Sequence, residues 1–218
     1  MANQKPVLIY IYDPLCGWCF GFENSIHRLY ERYSDEVDFR VYVGGLMFGE
    51  MAKPIAANRE RVLDGIKLIQ QKSDAIFGEP YIQMVREGDQ VFDSTIPSRA
   101  QAVIDKIAPQ LAVPFASELQ KVFFMHGADL SDDDTYLPVL GQLSISRNRF
   151  FDLLHDPWSQ RKAETQIEWA KQAGVRLFPS LVLKQGTSTK LMMDGFRPLD
   201  DVLATLNDNL SISEPIDS

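Results

Sequence analysis

Residues 7–22 read VLIYIYDPLCGWCFGF, and the placement of two cysteines within them decides how the rest of the chain is read. Val7 to Tyr12 is a near-continuous β-prone run, the pattern of a strand buried on both faces. Asp13-Pro14 breaks it. Beyond Cys19, apolar residues recur at Phe22, Ile26, Leu29 and Tyr33, spacings that put them on one face of a helix. Val37 to Val43 alternates as a strand should, and Gly44-Gly45 ends it. Strand, helix, strand is a βαβ unit, and Cys16 and Cys19 stand at its strand-to-helix junction.

These are the only two cysteines among 218 residues. As half of a zinc site they supply two ligands where a closed structural site takes four. His27, His126 and His155 are the remaining soft ligands, and no two are spaced as a pair, so no metal is expected. As an incidental pair they would be small buried hydrophobes. The redox reading accounts for more, because CxxC at the start of a helix in a βαβ unit is where thiol–disulfide chemistry is favoured. The first backbone N–H groups of a helix are free, and the positive end of its dipole favours a thiolate. Cys16 sits at that end. Cys19 is one turn further in, close enough to close a disulfide with it. The expected roles are Cys16 as nucleophile and Cys19 as resolving cysteine.

From Leu46 to about Asp156 the pattern turns helical. Periods appear over 58–77 (Val62, Ile66, Ile69, Ile76), 98–108, 115–126 and 146–155, punctuated by Pro97, Pro109, Pro114 and Pro138. No comparable strand pattern occurs there. Another helix is expected over about 159–173, then a hairpin (Leu181 to Lys184 and Lys190 to Met193 around Gly186), then a helix over 199–210. The tail Ser211 to Ser218 is polar and expected to fray. The expected class is α/β, in the order βαβ, helices, α, ββα. The assigned boundaries are 1–48 and 158–218 for the sheet-bearing domain and 49–157 for an inserted helical domain.

The composition is 45% hydrophobic and 24% charged, enough for a core without disulfide staples. A net charge of −8 without a basic run excludes nucleic acid as an expected partner. No stretch approaches the length of a transmembrane helix, so no membrane partner is expected. The apolar run after Lys5 is too short for a secretory signal, and the expected location is cytoplasmic. Gly44-Gly45 matches no phosphate loop. Asp132 to Asp134 reads as a solvated helix start, and His126 and His155 as loop or helix-end residues.

Phe178-Pro179 stands after a helix and at the start of the hairpin. Proline has no ladder hydrogen to give, so its place at a strand's beginning is meaningful. An ordinary trans proline at a loop end is the commoner case, but this position favours a cis peptide, which leaves the preceding backbone open to a substrate chain.

The segments VLIYIYDPLCGWC, DSTIPSRAQAV (93–103) and RLFPSLVL (176–183) resemble the thioredoxin superfamily, specifically its DsbA-like oxidoreductases. The similar branch is that of predicted protein-disulfide isomerases near the FrnE-like and 2-hydroxychromene-2-carboxylate isomerase groups. The resemblance implies a thioredoxin-like fold with an inserted all-helical domain, and a protein-disulfide oxidoreductase or isomerase. It implies Cys16 as nucleophile, Cys19 as resolving cysteine, Pro179 as a cis-proline and Phe178 as a substrate-binding backbone, with Gly17 and Trp18 completing the substrate side. No cofactor beyond the redox-active disulfide is implied, with glutathione a possible reductant or substrate. The implied partners are protein or small-molecule disulfides and thiols, and a redox regeneration partner. Two departures stand out. The buried acid that many relatives carry six residues before the first cysteine is Tyr10 here, which leaves water, Asp13 or Glu23 for proton transfer. The Pro-His pair of strongly oxidising relatives is Gly17-Trp18. The alternatives are a client-binding adaptor and a glutathione-dependent kappa-like transferase or isomerase; many of the latter carry serine in place of the first cysteine.

Overall fold

The computed structural model describes residues 5–210; the tail expected to fray lies outside them. Strand β1 (Val7–Tyr12) leads through the cysteine turn into α1 (Gly17–Gly21) and α2 (Glu23–Tyr33), then into β2 (Asp38–Val43). The two helices are separated only at Phe22, whose backbone stays helical with its N–H on Trp18 and Cys19 carbonyls. The expected single helix is therefore a bent one, with Phe22 fully buried in the bend.

Between β2 and the second half of the sheet run β3 (Lys53–Pro54), α3 (Arg59–Lys72), α4 (Glu79–Glu87) and β4 (Val91–Phe92). Then follow α5 (Thr95–Ile107), α6 (Ala112–His126), α7 (Tyr136–Gln142) and α8 (Arg147–His155). The segment is helical as expected, with one addition: β3 and β4 pair antiparallel over two residues each. Pro80, Pro97, Pro114 and Pro138 all lie in the first turn of their helices, where the N–H that proline lacks has no intrahelical partner. The period assigned to 58–77 stops earlier than expected. Ser73 turns extended and caps α3, and Ile76 stands 67% exposed instead of continuing its buried face.

The chain returns through α9 (Pro157–Gln172), the hairpin strands β5 (Ser180–Gln185) and β6 (Ser188–Asp194), and α10 (Leu199–Leu210). The sheet order is β2-β1-β5-β6, with β1 parallel to β2 and antiparallel to β5. The central position of β1 explains its continuous apolar run. Leu8, Tyr10 and Tyr12 point into the main core with Cys19, Phe22 and residues of α6, while Ile9 and Ile11 face Ala170 of α9. Burying both faces of this strand is worth about 1.5–3 kcal/mol per large side chain. No helix among the described residues is long and apolar enough to cross a membrane.

Candidate active site

Cys16 caps α1 at its N-terminal end. Its backbone is extended and its Sγ accepts the N–H of Cys19 at 3.4 Å, satisfying one of the free donors of the first turn. Both cysteines are free thiols in this structure. Cys19 is fully buried and Cys16 is 6% exposed. Burial first, and then the hydrogen bond and charge of Cys16, push the Cys19 thiol well above its ordinary value, so at neutral pH it holds its proton.

The turn that presents the pair is fastened from several directions. Cys16 N–H donates to the Asp13 carbonyl at 3.0 Å. The fully buried Asp13 carboxylate accepts from Leu15 N–H at 2.9 Å, Leu46 N–H at 2.7 Å and the Ser94 hydroxyl at 2.8 Å. Burial pushes the Asp13 pKa up, and these donors only partly offset it. From α6, Gln120 Nε2 donates to the carbonyls of both Asp13 and Cys16 at 3.4 Å. The segment 93–103 thus contributes structure at the site: Ser94 holds Asp13, and Gln101 Oε1 accepts from the Tyr12 hydroxyl at 2.7 Å. Asp13 was weighed only for proton transfer, and Ser94, Gln101 and Gln120 were not among the expected site residues. A buried acid one residue past a strand was a signal for Asp13; nothing in the sequence marked Gln120. Glu23, weighed with Asp13 for proton transfer, pairs instead with Lys121 at 3.3 Å.

The expected substrate-side residues divide in two. Phe178 and Pro179 come to the cysteines across 162 positions of chain: the Phe178–Pro179 peptide is cis, and the Phe178 carbonyl lies 3.9 Å from Cys16 Sγ. The Phe178 ring lies so close over Gly44 that a Cβ there would meet it at 2.1 Å. Gly17 and Trp18 lie on the other side of the pair. Gly17 lets α1 approach α3, where an added Cβ would meet Ile69 at 2.9 Å. Trp18 is half-buried with its ring 5.2 Å from that of Phe196. Cys16, Gly17 and Trp18 line a cavity of about 420 Å³ with Met47, Met51, Ile66 and Phe77, and Lys53 and Arg61 bring positive charge to it. Among the described residues no group of three or more His, Cys, Asp or Glu could hold a metal ion.

The loop carrying Leu177-Phe178 is tied to β6 by Asp194, whose carboxylate accepts from Arg176 N–H at 3.0 Å and Leu177 N–H at 2.9 Å. Burial alone would raise its pKa, but these donors, the Ser180 hydroxyl and the Arg176 charge hold it below the usual carboxylate value. A depressed folded value means that the tie is fully present above the unfolded pKa and is lost as pH falls through the folded one. Asp194→Ala is expected to cost about 1 kcal/mol and to slow exchange at Cys16 severalfold at pH 7. The stability gap between variant and parent should close as pH falls through the depressed folded value, below the ordinary carboxylate range; a gap undiminished there would mean that the carboxylate charge is not what holds the loop.

Residues 9–202 match the family model described as thioredoxin. The chain belongs to the thioredoxin family. Its fold is that of the DsbA-like members. A Nitrosomonas europaea protein provisionally named a protein disulfide isomerase superposes with a TM-score of 0.86 at 23% identity, covering 95% of this chain and 98% of that one. The cytosolic disulfide reductase DsbM from Pseudomonas aeruginosa superposes with a TM-score of 0.77 at 22% identity, over 95% and 100% of the two chains. A second structure of that reductase is with GSH. The ClpXP adapter protein SpxH of Halalkalibacterium halodurans is 23% identical over 181 residues, 83% of this chain but 59% of SpxH. This thioredoxin-family chain therefore shares its fold with disulfide oxidoreductases, and its two cysteines lie together at the start of α1.

Proposed function

We propose that the protein is a cytoplasmic thiol–disulfide oxidoreductase in which Cys16 is the nucleophile and Cys19 the resolving cysteine. The observation that carries this reading is the position of Cys16 Sγ. It accepts the Cys19 N–H in the first turn of α1 and lies 3.9 Å from the Phe178 carbonyl, beside a cavity. In the reducing direction the Cys16 thiolate attacks one sulfur of a substrate disulfide; that S–S bond breaks and the departing sulfur takes up a proton. Cys19 then loses its proton and attacks Cys16 Sγ. The Cys16–Cys19 bond forms, the mixed disulfide breaks, and the second substrate sulfur leaves as a thiol. The dithiol is oxidised by two electrons and the substrate disulfide is reduced. Run backwards, the same steps oxidise a substrate dithiol, and run in both directions they isomerise a protein.

We take glutathione as the small thiol that regenerates the pair, as an anionic tripeptide suits a cavity bearing Lys53 and Arg61, and one structure of DsbM, described as cytosolic, is with GSH. The test is glutathione-dependent reduction of hydroxyethyl disulfide. Lys53→Glu combined with Arg61→Glu should raise the KM for glutathione about tenfold, roughly 1.4 kcal/mol, with kcat nearly unchanged and the difference shrinking in salt. An unchanged KM would remove glutathione from this cavity and leave the cysteine chemistry standing. The likeness to SpxH favours a second reading, a client-binding adaptor. Client capture that survives loss of both thiols would favour it over the enzyme.

A further inference from the structure

Tyr10 and Tyr12 project from the same face of β1 with their rings stacked at 5.5 Å, and both are fully enclosed. Their hydroxyls have opposite fates. That of Tyr12 donates to Gln101 at 2.7 Å, while that of Tyr10 is buried against the Cys19 thiol without a hydrogen bond of normal geometry. A buried hydroxyl without a normal hydrogen bond is destabilising, and such a group in a packed core calls for a reason. The groups around it supply one. The titratable side chains acting on Tyr10 are Cys19, Cys16 and Tyr12, and Phe22 closes the space at a ring distance of 6.1 Å. A thiol is a weak acceptor and a thiolate a strong one. The hydroxyl therefore gains a full partner only when Cys19 is ionised.

We propose that Tyr10 is a positioning residue for the resolving step, its hydroxyl donating a hydrogen bond to the Cys19 thiolate that forms as the mixed disulfide at Cys16 is broken. The inference rests on reading Cys19 as the resolving cysteine. During that step Cys19 gives up its proton, its thiolate attacks Cys16 Sγ, and the leaving substrate sulfur takes up a proton, so Tyr10 keeps its own throughout. The phenol remains a donor because burial, reinforced by the two cysteines, holds its pKa far above neutrality. The Asp13 backbone N–H is one donor to a Cys19 thiolate, but burial and the charges of Cys16 and the Asp13 carboxylate outweigh it, which leaves room for a second donor. The remaining groups near the pair change little of this. Tyr12 is neutral and already bonded, Gln120 of α6 is neutral and turned to backbone carbonyls, and Tyr81 of α4 is held neutral by burial and then by the nearby Cys16.

The test uses the reduced full-length protein and the aromatic disulfide 5,5′-dithiobis(2-nitrobenzoate), which releases one coloured thiolate when Cys16 attacks and a second when Cys19 resolves. Tyr10→Phe should leave the first release unchanged and slow the second by about ten- to a hundredfold, as expected for loss of one hydrogen bond to a charged group. The pH midpoint of the second release should rise by about one pH unit or more. The melting temperature should stay level or rise, because the variant removes an unpaired hydroxyl. Tyr12→Phe, which breaks a satisfied bond, should lower the melting temperature and spare the second release. A second release in Tyr10→Phe with the parental rate and pH profile overturns the inference. So does a slowing matched by Tyr12→Phe in step with lost stability. Absence of the first release in the parent protein would instead overturn the assignment of Cys16, and this inference with it.

Discussion

Replacing Cys16 with serine is expected to abolish thiol–disulfide exchange, by about a thousandfold or more, which is the scale on which loss of a nucleophile acts. A serine hydroxyl at the start of α1 still accepts the Cys19 N–H and fits the same space, so the fold should persist. Cys19 cannot take over. It is fully enclosed and its thiol holds its proton, so no substrate sulfur reaches it as a nucleophile. Cys19→Ser should behave in the opposite way. Cys16 still attacks, nothing resolves the product, and partners accumulate as mixed disulfides visible on non-reducing gels and lost on reduction. Full exchange activity in both variants would sink the oxidoreductase reading. Activity lost in Cys19→Ser with no trapped species would mean that Cys16 is not the residue attacked first.

The largest loss of stability is expected from Gly78→Ala. Gly78 precedes α4, its N–H donates to the Phe124 carbonyl at 2.9 Å, and an added Cβ would stand 1.9 Å from the Met125 carbonyl oxygen. That neighbour is backbone, at the last turn of α6, and no side-chain rotation relieves the overlap. The helices must separate, and the aromatic residues between them separate too. Phe77 and Tyr81 pack on Phe124 at ring distances of 5.4 and 5.0 Å, and Phe20 of α1 stacks on the same ring at 4.9 Å. The expected cost is about 3 kcal/mol or more, or roughly 6–12 °C in Tm for a chain of this size. Because Phe20 is the residue after Cys19, exchange activity should fall below the parent's even at temperatures where the variant is folded. A Tm within about 2 °C of the parent would show that α4 slides along α6 at low cost.

The βαβ unit, the hairpin and the cysteine pair were legible because each rests on local pattern. VLIYIY has no polar residue to face solvent and so belongs in the centre of a sheet, and it occupies that place between β2 and β5. The Phe178–Pro179 element was legible from its position before a β-prone run. What the sequence did not disclose depends on long-range polar contacts or on short elements. α4 and α7 have nine and seven residues, too few turns for an apolar period to repeat, and β3 and β4 have two residues each. Gln120 looks like an ordinary polar residue in α6; its role arises from where α6 crosses the cysteine turn. Tyr10 drew notice only as the residue standing where many relatives carry an acid; that its hydroxyl, unlike that of Tyr12, lacks a normal hydrogen bond shows only in the packed core.

The Cys16 sulfur meets the Phe178 carbonyl across a sequence separation of 162, and Gln120 grips the turn across one of 104. Read as a schedule of synthesis, this separation has a consequence for the nascent protein. At about 5–20 residues per second, roughly 8–30 s pass between translation of Cys16 and of Phe178. During that interval both thiols exist on an unfinished chain that lacks the loop placed beside them in the finished protein. A reducing surrounding at the ribosome would keep them unpaired until the last third of the chain arrives to enclose them.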